Sequence, residues 1–360
     1  MHPFRELLLV SIGKRDGLNR CLSTDEWQNI FSMAKKQAIL GITFKGVERL
    51  SKDQRPPRNL LLNWIYVADK TRSKNVLIRK RAIQEINLLS EAGFRTCLLK
   101  GVGLLSLYED GDLSYLRASG DIDLWVEGKR FVVYDYLRKH YRLGDMVYHH
   151  IDTCMFADVK TEIHFWPTFS FSPRRNARLR KWFTEQAPIQ FQNKTNDELV
   201  CPDVAFNAVY LLLHIFRHMF EEGVGIRHFM DYYFLLRHLS YEERKEAMKT
   251  LRWMGLGKFT AAAMYVVKAL FCDEENPDDK LELLCEPDDK LGAFLLNEVV
   301  QAGNFGHFDE RLAASRNRGQ LSRWKSFERL VSVFRLSPSE VLCAPFWKLW
   351  HWCWRKINFK

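Results

Sequence analysis

Asp121 and Asp123 stand two residues apart in Gly120-Asp121-Ile122-Asp123-Leu124-Trp125-Val126, at the head of an apolar, β-prone run. In a strand, residues i and i+2 face the same side, so this spacing aims two carboxylates at one point. Like charges held that close repel unless a cation lies between them. Hard divalent cations such as Mg²⁺ take oxygen ligands of this kind. Gly120, just upstream, opens the backbone to a phosphate-bearing ligand. The chemistry indicated is metal-assisted handling of a nucleoside triphosphate (NTP). A bare Asp-x-Asp is also common in solvated turns, so the neighbours have to carry the argument.

Two neighbours do. In Thr161-Glu162-Ile163-His164, Glu162 and His164 alternate onto one face of a predicted strand. Glu162 can complete a three-carboxylate set with Asp121 and Asp123, the arrangement that two-metal phosphoryl transfer needs. The plain alternative is an edge-strand glutamate beside a packed histidine. In Leu98-Leu99-Lys100-Gly101-Val102-Gly103, a strand runs into a helix through Lys-Gly-x-Gly. Such a junction presents amide N–H groups to an anion, and Lys100 adds a point charge. The stretch lacks the Gly-x-x-x-x-Gly-Lys-Ser/Thr pattern of a P-loop.

Leu-Lys-Gly, then Gly-Asp-Ile-Asp-Leu, then Glu-Ile-His resembles the uncharacterised bacterial nucleotidyltransferase family of the DNA polymerase β-like superfamily. The resemblance extends to Leu213-His214-Ile215-Phe216-Arg217-His218 and Gly225-Ile226-Arg227-His228-Phe229-Met230-Asp231, and so spans most of residues 75–240. It implies an α+β fold with a polymerase β-like mixed-sheet core, and Mg²⁺- or Mn²⁺-dependent transfer of a nucleoside monophosphate from an NTP to an acceptor hydroxyl. Asp121, Asp123 and Glu162 would be the catalytic, metal-binding carboxylates, with Glu162 as base. The wider superfamily places Gly-Ser near the triphosphate, where this chain has Lys100-Gly101. Lys100, Gly101, Arg117, Gly120 and Arg227 are therefore the candidates to grip the nucleotide.

The elements that must position these groups follow from periodicity. Residues 1–93 read as a helical region, with Ser23 to Glu26 as cap chemistry before Trp27, Ile30, Phe31 and Ala34. A long helix over about 59–89 has a possible break at 71–73. Residues 94–192 read as an α/β core. Strands are expected over 95–100, 122–126, 146–150, 153–159, 161–166 and 186–191, and helices over 101–108 and 131–140. Gly111 and Asp112 mark a turn. Residues 193–360 read as a helical domain with segments at about 202–221, 225–239, 241–254, 256–271 and 288–301, and an acidic linker over 273–279.

Composition sets the outer bounds. Of 360 residues, 47% are apolar, 27% charged and 13% aromatic, which excludes a disordered chain. The net charge of +10 favours polyanionic ligands: a triphosphate, nucleic acid or an anionic membrane surface. Eight scattered cysteines form no zinc spacing and read as small buried residues of a reducing, cytoplasmic setting. No run approaches a membrane span, and the N-terminal apolar stretch is too short for a signal peptide.

Three further features have two readings each. His214 and His218 share a helix face; they are zinc-like in spacing, yet no third ligand is apparent. Arg227 and Asp231, four apart, suit a structural ion pair. The run from Arg174 to Lys181 is either a nucleic-acid contact or a solvated face. The tail places Trp347, Trp350, Trp352 and Trp354 within eight residues. It suits a docked helix with a buried stripe of Trp347, Trp350 and Trp354 better than peripheral membrane contact. The acceptor is open: small metabolite, sugar, peptide, protein or RNA. The rival functions are an Asp-x-Asp glycosyltransferase, which residues 1–93 disfavour by being helical, and a non-catalytic nucleotide-binding or regulatory module of the same fold.

Overall fold

Helical periodicity accounts for the first quarter of the chain. In the computed structural model, which describes residues 2–195, 199–273, 275–276, 280–306, 316–317, 320–321 and 323–359, α1 (His2–Ser11), α2 (Thr24–Lys36) and α3 (Leu40–Arg49) precede a long α4 (Arg58–Glu91). Ser23 accepts from the Glu26 amide while the Glu26 carboxylate accepts from the Ser23 amide, satisfying two otherwise unpaired helix-end donors. Trp27, Ile30 and Ala34 are buried. α4 runs unbroken through 71–73. The Thr71 hydroxyl donates to the Val67 carbonyl at 2.8 Å, so its polar group is satisfied inside the helix, at most bending it, without ending it.

Beyond Gly93 the period shortens. β1 (Thr96–Leu98) leads through a 3₁₀ segment (Gly101–Leu107) and α5 (Gly111–Leu116) to β2 (Ile122–Val126). α6 (Arg130–His140), β3 (Arg142–Met146), β4 (His150–Phe156) and β5 (Val159–His164) follow. The sheet order is β1-β2-β5-β4-β3; β2 and β5 are parallel and the other pairs antiparallel. The fold is α+β, with one five-stranded mixed sheet. Several expected boundaries move. The 101–108 helix is 3₁₀. Gly111 and Asp112 begin α5, which Asp110 caps, rather than a free turn. The expected 146–150 strand lies earlier, as β3, and residues 147–149 turn into β4.

The sheet separates two environments by alternation. Ile122, Leu124, Val126, Ile151 and Ile163 face a core completed by Ile78, Ala82 and Leu89 of α4 and Val133 and Leu137 of α6. The intervening residues Asp123, Glu162, His164, His150 and Asp152 face a cavity on the other side. One charge interrupts the apolar side. Glu85 of α4 is fully buried under β5 and accepts from Thr161 Oγ1 at 2.7 Å. Burial pushes its carboxyl up to about 7.

Of the remaining helices, α7 (Pro173–Gln190), α8 (Val204–Glu221), α9 (Ile226–His238), α10 (Tyr241–Trp253), α11 (Gly257–Phe271) and α12 (Asp289–Ala302), α8 and α9 form the cavity's second wall. A two-strand ladder, β6 (Arg316–Asn317) with β7 (Gln320–Leu321), α13 (Arg323–Ser332) and α14 (Pro338–Asn358) complete the described chain. The strand expected over 186–191 is instead the end of α7, where Phe191 packs on Trp125 with ring centroids 4.7 Å apart. Part of the acidic 273–279 stretch lies outside the described residues; Asp273 itself pairs with Arg15 at 2.6 Å.

The Trp-rich tail docks through one buried carboxylate. Glu340 accepts from Ser170 Oγ (2.8 and 2.9 Å), the Phe171 and Ser172 amides (2.6 and 3.2 Å) and Arg175 Nη1 (2.6 Å). The basic run over 174–181 is thus helical, and its Arg175 is buried as the tail's anchor. Trp347 stacks on Phe169 at 5.1 Å and meets Tyr148 edge-on at 4.9 Å. The tryptophan stripe is only half covered: Trp350 is 45% exposed, and Leu342, Phe346 and Leu349 face outward. No helix among the described residues is long and apolar enough to cross a membrane.

Two outcomes follow. Deleting residues 345–360 strips Trp347 and Trp354 from their partners and is expected to cost about 2 kcal/mol or more, read as a lower melting temperature. A truncated chain that melts like the full-length one and loses binding to anionic liposomes would make the tail a membrane contact instead. Glu85 gives a pH signature. Its folded pKa lies above the unfolded value, so the folded state holds the proton more tightly. The associated stability is complete at low pH and is lost as pH rises through about 7. Glu85→Gln removes that loss, and should exceed the parent in stability by about 3 kcal/mol at pH 8 but by little at pH 5. Equal denaturant midpoints for the two proteins at pH 8 would contradict this.

Candidate active site

The site begins at the register of the two central strands. β2 and β5 run parallel with Asp123 directly opposite Glu162, which brings a carboxylate from each to the same face. Asp121 sits just before β2, two residues ahead of Asp123. His164 lies two residues after Glu162. All four line one cavity of about 680 Å³ between the sheet and helices α8 and α9.

Lys100 reaches the same point from β1. The Leu99 amide donates to the Asp123 carbonyl at 2.9 Å, and the chain then turns sharply: Lys100 has φ +27° and Gly101 φ +52°. A side-chain-bearing residue in this region is strained. The turn delivers Lys100 Nζ to Asp123 Oδ1 at 2.7 Å. Gly103 is required by contact, since a Cβ there would lie 2.6 Å from the Leu98 carbonyl oxygen. Gly120 borders open space, with no atom near where its Cβ would be.

The charges are closely coupled. Asp123 is 3% exposed. Burial opposes its charge, but the Lys100 ammonium and His164 Nε2 (2.9 Å from Oδ1) hold it below the usual carboxylate range. Glu162 is likewise held well below normal, against burial, by His164 and by the charges of His150 and Lys100. Asp121 goes the other way: burial and the neighbouring Asp123 charge push it up to about 6. Two carboxylates two residues apart thus titrate in opposite directions, as like charges sharing one site must. A divalent cation between them would relieve that repulsion, so the carboxylates fit the ion that the Asp-x-Asp pattern implies. Asp123, Glu162 and His164 bring their ligand atoms within 4.8 Å of one another, and so do His149, His150 and His164, and His150, Asp152 and Glu162. Asp121 belongs to none of the donor groups this close among the described residues.

The other candidates divide. Arg227 comes from α9 and lines the cavity; it donates to the Ala118 carbonyl at 2.5 Å, and its buried Nε has no partner. Burial and the nearby Arg117 charge lower it to about 10. Arg117 is committed elsewhere, with Nε and Nη2 on the Asp231 carboxylate at 3.0 and 2.6 Å. Tyr108 also donates to Asp231, at 2.7 Å. The expected Arg227–Asp231 pair is therefore replaced by Arg117–Asp231. Residue 117 is far closer to Asp231 in space than the i,i+4 spacing suggests, and it leaves Arg227 turned toward the cavity. His214 and His218 do face each other, ring centroids 4.3 Å apart, and His228 joins them at 5.5 and 6.2 Å. Among the described residues these three belong to no group of donors close enough for a metal.

Periodicity gave no reason to single out His149, His150, Asp152 or Lys160. All four line the cavity. His150 Nε2 lies 3.4 Å from Asp152 Oδ1, and Lys160 Nζ lies 3.0 Å from Asp152 Oδ2. The alternation of His150 and Asp152, opposite His164 and Glu162 in the β4–β5 register, was the signal available.

Among curated proteins none shows significant similarity to the chain. The family profile described as "Uncharacterised nucleotidyltransferase" matches residues 23–272. That span holds the sheet, every carboxylate of the site and the α8–α9 wall. The chain belongs to this nucleotidyltransferase family.

Proposed function

We propose that the protein transfers a nucleoside monophosphate from an NTP to an acceptor hydroxyl, releasing pyrophosphate, on a polymerase β-like core. The observation that carries this reading is the pairing of Asp123 and Glu162 across parallel strands, with Asp121 two residues ahead, in one cavity of a nucleotidyltransferase chain. Asp121, Asp123 and Glu162 would hold Mg²⁺ or Mn²⁺. When bound, such an ion activates the hydroxyl and neutralises charge on the triphosphate and the departing pyrophosphate.

The chain's own residues divide the remaining work. Lys100 supplies the counter-charge of Asp123 and would be the ammonium nearest the triphosphate on the sheet side. Arg227, with an unmatched donor facing the cavity, binds the same polyphosphate from the helical wall. Gly101 and Gly120 keep the backbone open on either side of the aspartates. Arg117 acts at one remove, fixing the loop before β2 through Asp231. Glu162 is held ionised, so it orients the acceptor hydroxyl by accepting its hydrogen bond; its low proton affinity makes it a weak base. The acceptor's identity is the open part of this reading. The cavity's carboxylate side and its arginine–histidine side admit a polar or anionic molecule before an apolar one.

The aspartates give the first test. Asp121→Asn and Asp123→Asn should each abolish pyrophosphate release, assayed with the four NTPs and a cell extract as acceptor source, while far-UV circular dichroism stays native. Losing a metal ligand removes several kcal/mol of transition-state stabilisation. Undiminished release in either variant would remove that aspartate from the metal set. For Glu162→Gln, turnover should fall at least tenfold while NTP affinity changes less. Equal losses in both would make Glu162 a nucleotide-binding group instead.

A further inference from the structure

We propose that His149, His150 and His164 form a binding site for a borderline first-row transition cation of the Zn²⁺ type, adjoining the carboxylates of the proposed catalytic set. His149 closes the turn between β3 and β4, His150 opens β4 and His164 ends β5. The antiparallel register sets His150 opposite His164. The three rings form a triangle with centroids 4.4, 5.1 and 5.4 Å apart, and one ring nitrogen from each lies within 4.8 Å of the others.

The spacing of the donor atoms points to an ion. His149 Nε2 is 3.1 Å from His150 Nδ1. His150 Nδ1 is 3.6 Å from Glu162 Oε2, which is 3.5 Å from His164 Nε2. A tetrahedral Zn²⁺ with bonds of about 2.0–2.1 Å separates its ligands by about 3.3 Å along each edge. The 3.1 Å gap between His149 Nε2 and His150 Nδ1 is close to that length, and the Glu162 carboxylate stands beside the imidazoles as a counter-charge.

Ligand chemistry then selects the class. Three imidazole nitrogens with a carboxylate nearby favour Zn²⁺ or Co²⁺ over Mg²⁺ and Mn²⁺, which prefer oxygen ligands. The arrangement behind the ring of His150 also fits. Its Nε2 faces Asp152 Oδ1 at 3.4 Å, and Lys160 holds the far oxygen of Asp152 at 3.0 Å. A carboxylate behind a histidine ligand fixes the ring's orientation and raises its basicity. The Nδ1 atoms of His149 and His164 are buried without a hydrogen-bond partner. The helical trio His214, His218 and His228 provides a built-in contrast: also imidazole-rich and lining the same cavity, it forms no such close donor group.

This site goes beyond nucleotidyl transfer and stands or falls separately, because its test contains no nucleotide. The full-length protein, stripped of metal by dialysis against a chelator, is titrated with Co²⁺ in millimolar Mg²⁺ and followed by visible absorption. One Co²⁺ per chain should bind, be displaced by one equivalent of Zn²⁺ and resist Mg²⁺. His149→Ala and His150→Ala should each weaken Co²⁺ binding at least tenfold, and His214→Ala should leave it unchanged, with melting curves confirming that each variant is folded. Failure of the parent protein to bind Co²⁺ under these conditions, or displacement of the ion by Mg²⁺, overturns the assignment without recourse to any variant. Unchanged affinity in folded His150→Ala overturns it as well.

Discussion

The buried charge of Asp123 is the constraint to which the surrounding structure answers. A carboxylate 3% exposed stays ionised only with opposite charge and hydrogen-bond donors at hand. Lys100 and His164 meet that need from two different strands. Supplying Lys100 requires a turn with positive φ at a lysine and at the glycine after it. Supplying His164 requires β5 to lie parallel to β2 in the observed register, which also places Glu162 opposite Asp123. Strain at the turn and the crossover through α6, β3 and β4 that brings His164 alongside both serve one buried charge.

The cavity is therefore asymmetric by construction. Its sheet wall carries carboxylates whose proton affinities diverge, Asp121 up and Asp123 and Glu162 down. Its helical wall carries cations weakened by burial, Arg217 lowered to about 9 and Arg227 to about 10. On the proposed reading, a substrate bridging these carboxylates, loaded with a cation, and the guanidinium groups opposite would carry several negative charges along its length. A nucleoside triphosphate has that form. The apolar side of the sheet, braced by α4 and α6, keeps the β2–β5 register from slipping. A one-residue slip would turn Asp123 and Glu162 into the core.

The sequence disclosed the carboxylates because strand alternation is a local rule. Asp121 with Asp123, and Glu162 with His164, could each be aligned from spacing, the joining of the two pairs being implied by the resemblance, and the long helices of both flanks could be read from their apolar period. What it could not disclose were relations set by tertiary structure. The ion pair of Asp231 goes to Arg117, 114 residues away, because packing of α9 on the 3₁₀ segment overrides helical proximity. Residues 186–191 alternate like a strand yet extend α7, since Phe191 finds its burial against Trp125 and not in a sheet. His149 and His150 are inconspicuous in sequence, and only the β4–β5 register brings them to His164. The tail's helical stripe was legible, but its anchor Glu340, meeting donors about 165 to 170 residues upstream, was not.

The most direct test of the account is anomalous diffraction from crystals grown with Mn²⁺ and an NTP analogue that cannot be cleaved between the α- and β-phosphates. The account predicts a Mn²⁺ peak bonded to the carboxylates of Asp121 and Asp123, with the triphosphate lying between Lys100 and Arg227. A nucleotide bound outside this cavity, or a metal peak that leaves both aspartates without a bond to it, would contradict the central claim.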